Sequence, residues 1–121
     1  MYTTTFTFAA GEFDADFHAL DATIAKRARA IPGYLGEDAW ENPDAGQVSN
    51  VYYWATREAL QALIDDAAHR LAKQQQGRWL QGYQVVIAEI VGCYGDGRLA
   101  HPLAAVAPVA LPPVSPPTAS S

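Results

Sequence analysis

The chain has 121 residues, half of them apolar, and a formal net charge of −5 with a pI near 4.9. That length suits one hydrophobic core and hence one domain, while eight scattered basic residues on an acidic chain exclude a phosphate-tracking nucleic-acid surface. The lone Cys93 excludes an intramolecular disulfide and a zinc site built on paired cysteines, and it fits a reducing cytoplasm.

The opening MYTTTFTFAA has neither a basic start nor a long apolar run, so no signal peptide and no membrane span is expected. Its β-branched and aromatic residues predict a first strand. In GEFDADFHALDATIAKRARAIPG, Phe13, Phe17, Leu20, Ile24 and Ile31 recur at helical spacing and Pro32-Gly33 stops the run, which predicts a first helix. YLGEDAWEN and QVSNVYYWA flank the turn signal PDAG and read as a hairpin. Thr56 is placed to cap a second helix, whose apolar face would run Leu60, Leu63, Ile64, Ala67 and Leu71. After QQQGRW, the run YQVVIAEIVGCYG predicts a last strand.

The order βαββαβ is that of the ferredoxin-like α+β fold, a four-stranded antiparallel sheet with two helices on one face. Two helices cover one sheet face, and the other also carries apolar side chains, so a homodimer packed sheet to sheet is expected. Composition changes near residue 95. Six of the eight prolines fall within HPLAAVAPVALPPVSPPTASS, so the domain is placed at residues 1–95 and residues 96–121 are expected to form a dispensable, disordered Pro/Ala-rich tail.

The run PGYLGEDAWENPDAG, the junction YYWATREALQALIDDAAHRLAKQQQGRW and the closing YQVVIAEIVGCYG together resemble the antibiotic biosynthesis monooxygenase family of dimeric α/β barrels, over about residues 3–95. What the resemblance implies is a small pocket in each subunit, between the sheet and the two helices. It also implies one of two activities: oxygenation of phenols, anthrones or quinols with no metal or flavin, or heme binding and degradation. A third possibility, from a different class, is a non-enzymatic dimeric binding module. Heme-degrading relatives carry a tryptophan nine positions after the one matching Trp54, and here that position is Leu63.

Strand alternation places Asn50, Tyr52 and Trp54 on one face of the third strand and Val51 and Tyr53 on the other. If the first set faces the helices, Tyr53 faces the partner subunit. Trp54 reads first as a packed junction residue, whereas Asn50 and Tyr52 are polar groups that need a partner in a helix-covered space. His69 would be the axial ligand of a bound heme, but on an unbroken helix it lies ~180° from Leu60, opposite the apolar stripe. His18 falls on the edge of the first helix's stripe. Arg78, Trp79 and Tyr83 follow the second helix, where they would close the pocket mouth and meet an anionic oxygen. The reading is a cofactor-independent monooxygenase using O2 on a small aromatic ligand. Its assigned catalytic residues are Asn50, Trp54 and His69, and its substrate-binding residues are Tyr52, Arg78, Trp79 and Tyr83. No metal is expected, and the alternative cofactor is heme on His69.

Overall fold

The alternation along YTTTFTFAA and NVYYW, and the 3.6-residue period in the two helical runs, produce the elements that those patterns predict. The computed structural model describes residues 1–10, 13–66, 70, 72–73, 80–106 and 108. They form β1 (Tyr2–Ala10), α1 (Ala15–Arg29), β2 (Tyr34–Asn42), a 3-10 turn (Pro43–Ala45), β3 (Gln47–Trp54), α2 (Arg57–Asp65) and β4 (Leu80–Glu89). The sheet has the order β2-β3-β1-β4 with every pair antiparallel, which is the ferredoxin-like α+β arrangement. No helix among the described residues is long and apolar enough to cross a membrane.

Local chemistry sets the element ends. The Asp14 carboxylate accepts from the Phe17 N–H at 2.8 Å and starts α1. Thr56 does the same for α2, its hydroxyl accepting from the Ala59 N–H at 3.1 Å. Gly46, at φ 65°, closes the β2–β3 hairpin in the left-handed conformation that glycine tolerates.

Register decides the two sheet faces. Trp54 pairs with Tyr2 and Tyr34, and all three pack with Ala28, Ala59, Leu60 and Leu63 in the core beneath the helices. Tyr52 and Asn50 share that face. Opposite pairs extend it onto β1 and β4, where Phe6 faces Val85 and Phe8 faces Tyr83.

The second helix departs from the expected unbroken run. It stops at Asp65, and Asp66 adopts an extended conformation (φ −64°, ψ 140°) before residues 70, 72 and 73 are helical again. Asp66 needs neither proline nor glycine to interrupt the helix. Its N–H turns back to the Leu63 carbonyl (3.1 Å), its carbonyl accepts from the Arg70 N–H (3.0 Å), and its carboxylate is held by Arg27 of α1 at 2.8 Å. Asp66 is thus the C-cap of α2, held in its extended conformation by Arg27. The angle assigned to His69 assumed no break and therefore does not carry over. His69, Arg78, Trp79, Ala67 and Leu71 lie outside the described residues.

The open sheet face has an occupant that the sequence reading assigned to the tail. Residues 101–106 fold into successive turns, closed by Ala104 N–H to His101 O (3.0 Å) and Val106 N–H to Leu103 O (3.1 Å). Leu103 is buried, and Pro102 lies so close over Gly36 that a Cβ there would come within 2.5 Å of the proline Cβ. Tyr53, on the face expected to meet a partner subunit, meets His101 of its own chain, edge to face at 5.3 Å. A leucine plug needs no periodicity, which is why a proline-rich composition concealed it. Leu103→Ala is expected to cost roughly 2 kcal/mol, and Gly36→Ala to be destabilising too, because φ +149° and Pro102 both oppose a side chain there. Urea melts of the two single variants and the double variant check this: the losses should be less than additive, since Gly36 meets Pro102, the neighbour of Leu103 in the same turn.

Candidate active site

Between the sheet and the helices lies a cavity of about 430 Å³, within the range that holds small organic ligands. Phe17, Leu20 and Ile24 of α1 and Leu63 and Ile64 of α2 form its roof, and Phe6, Phe8, Val85 and Ile87 form its floor. Against these apolar walls stand a few polar groups, among them Asn50, Tyr52, Asp21 and Lys73. The β4 side is the more open one: Tyr83, Val85 and Ile87 remain about half exposed.

Asn50 and Tyr52 line the cavity side by side on the inward face of β3, and Tyr83 stands at the open wall, its ring 5.8 Å from Phe6. Trp54 does not reach the cavity. It is fully buried one layer behind it, stacked on Tyr52 at 6.0 Å, and its indole N–H donates to Thr4 Oγ1 at 3.2 Å. Thr4 itself lines the cavity. Trp54 therefore supports the wall by holding Tyr52 and Thr4, which matches its reading as a packed junction residue and not its place among the assigned catalytic residues. His18 is exposed and lies edge to face with Phe13 and Phe17.

Electrostatics divide the polar groups. The Tyr52 hydroxyl is pushed far above its ordinary pKa, first by burial, then by the charge of Glu37 and a hydrogen bond to it. Tyr52 is therefore a neutral donor at every physiological pH. Arg29 of α1 holds the Glu37 carboxylate and also reaches Tyr34, fixing this end of the site. Asp21 is solvent-exposed at the edge of the cavity, and its carboxyl is raised by partial desolvation there, lowered in part by His18 and raised again by Glu37.

Asp21 escaped the sequence reading, although a signal was present: it lies four residues after Phe17 and three before Ile24, inside the apolar stripe of α1. Its raised pKa has a consequence for stability. The folded state holds this proton more tightly than the unfolded chain does, so stability falls as pH rises from the ordinary carboxylate value through the raised one. Above that window the ionised carboxylate is a net cost. Asp21→Asn is accordingly expected to raise the melting temperature at neutral pH and to lose that gain in acid, as thermal melts across pH will show.

Among the described residues no group of three or more His, Cys, Asp and Glu is placed to hold a metal ion. The described cavity lining also contains no His, Cys or Met to ligate a heme iron, and the proposed ligand His69 lies outside the described residues.

Neither a protein-family model nor a curated relative matches the chain. Solved structures do. Rv0793 from Mycobacterium tuberculosis superposes with a TM-score of 0.62 at 19% identity, over 74% of this chain and 93% of its own. SnoaB, a cofactor-independent oxygenase from Streptomyces nogalater, gives 0.60 at 13% identity over 74% and 91%. An antibiotic biosynthesis monooxygenase gives 0.59 at 17% identity over 75% and 99%. The chain thus has the ferredoxin-like α+β fold found in antibiotic biosynthesis monooxygenases.

Proposed function

We propose that the protein is a cofactor-independent monooxygenase that binds a small, planar, electron-rich aromatic of the phenol, anthrone or quinol type in this cavity and oxygenates it with O2. The observation that carries this reading is the lining: apolar and aromatic walls of ligand size, with Asn50 and Tyr52 as neighbouring hydrogen-bonding groups on one strand. A substrate of this type supplies its own electrons. Loss of a proton gives a delocalised anion, which passes one electron to O2, and the two radicals recombine. The chain then has to hold the ring, favour the anion and exclude water.

In this mechanism the Asn50 amide donates to the substrate oxygen as negative charge grows there, while Tyr52, whose O–H is directed to Glu37, lines the wall beside it. Phe6, Phe8, Phe17 and Tyr83 embrace the ring. Fold likeness to SnoaB supports the oxygenase reading at the level of fold. Titration of the purified protein with a panel of anthrones, quinols and phenols, followed by intrinsic fluorescence, tests the binding half, because Tyr52 and the Trp54 stacked on it would report occupancy. Saturable quenching by these aromatics is the expected result. A hemin titration that instead develops a Soret shift, lost in His69→Ala, would assign the cavity to heme.

The working unit is proposed to be a homodimer. Beside the plug, the open sheet face leaves Trp40 62% and Val86 51% exposed, and a second copy would cover them. Sedimentation velocity at micromolar concentration is expected to give a dimer, and a stable monomer would remove this part of the proposal.

A further inference from the structure

The cavity places one carboxylate, and among the described lining residues only one, opposite the two hydrogen-bonding groups of β3. Asp21 leaves α1 on the side shared with Phe17, Leu20 and Ile24, all of which line the cavity. A ligand lying between α1 and the sheet therefore meets Asp21 on one side and Asn50 with Tyr52 on the other. The remaining carboxylate at this end, Glu37, is already engaged by Arg29 and Tyr52.

We infer that Asp21 is the base that takes the proton from the bound aromatic, an assignment that rests on the oxygenase reading above. On an anthrone, the C–H bond opposite the carbonyl breaks and the proton passes to the Asp21 carboxylate, which becomes a carboxylic acid. The electron pair stays on the substrate, delocalised onto the carbonyl oxygen, where Asn50 donates a hydrogen bond. O2 is the oxidant of the following step and takes no part in this one.

The electrostatic surroundings favour the transfer. The charged and titratable groups facing Asp21 are His18 on its own helix, Glu37 from β2 and Tyr52 from β3, with Lys73 also on the cavity wall and Arg29 on Glu37. Partial desolvation and Glu37 outweigh His18, so the carboxylate accepts a proton more readily than a solvated aspartate.

The test is hydrogen–deuterium exchange at the acidic carbon of 1,8-dihydroxyanthrone in anaerobic deuterated buffer, read by mass spectrometry, beside oxygen uptake in air. The wild-type protein is expected to accelerate exchange, with a rate that rises with pH through a carboxyl group titrating above the usual range. Asp21→Asn should still melt cooperatively and bind the anthrone, yet lose about 10²–10⁴-fold in catalysed exchange, and Asp21→Glu should recover part of it. Exchange by Asp21→Asn at the wild-type rate, or no accelerated exchange by the wild type, overturns the assignment. Oxygen uptake that survives in Asp21→Asn would leave the oxygenase reading standing without this base. Asp21-dependent exchange with no oxygen uptake would keep the base and remove the oxygenase.

Discussion

Trp54→Ala should cost about 3–5 kcal/mol of folding stability, the range for truncating a buried tryptophan or phenylalanine. The indole is fully buried at the end of β3, where it touches both helices' core residues and the rings of Tyr34 and Tyr52. Its removal leaves a void at the point where sheet, α1 and α2 meet, and rigid elements on three sides hinder collapse into it. A domain of this size has roughly 5–15 kcal/mol in total, so the variant should show a large drop in urea midpoint. Trp54→Phe keeps most of the packing but lacks the N–H that bonds Thr4, and a smaller loss is expected. A Trp54→Ala protein as stable as the wild type would mean that this side chain is not the keystone of the core.

Asn50→Ala should lower kcat by about 10²–10³-fold, the range for deleting one donor to a developing oxyanion, while the fold persists. Asn50 lies within β3, where backbone pairing to Phe6 and Ala39 holds the strand whatever the side chain. Its amide acts on charge that appears only as the substrate loses its proton, so the effect should fall on kcat more than on KM. Steady-state kinetics with the best substrate of the panel would separate the two. A variant that loses affinity and keeps kcat would make Asn50 a binding residue only.

The fold was legible in the sequence wherever periodicity alone decides. Alternation in NVYYW grouped Trp54, Tyr52 and Asn50 on one face and Val51 and Tyr53 on the other, and the packing of the first group under the helices decided which face is which. Depth was not legible: parity says which face a side chain takes, but not that Trp54 stops one layer short of the cavity that Tyr52 reaches. The break at Asp66 depends on Arg27, 39 residues away in sequence, and on a capping role that an aspartate within an otherwise helical run does not advertise. The seat of Leu103 depends on Gly36 leaving room for Pro102, a match between two distant and separately unremarked residues. Asp21 was readable in principle, as a carboxylate in the apolar stripe of α1, and it is the clearest example of a polar exception marking a candidate site.

Oxygen uptake by the chelator-treated, cofactor-free protein, measured with an electrode against the panel of anthrones, quinols and phenols, tests the central claim most directly. Saturable uptake with at least one such aromatic, well above the buffer rate and lowered in Asn50→Ala, is the predicted result. Uptake no faster than buffer with every member of the panel, from protein that fluorescence shows to be folded and ligand-bound, would contradict it.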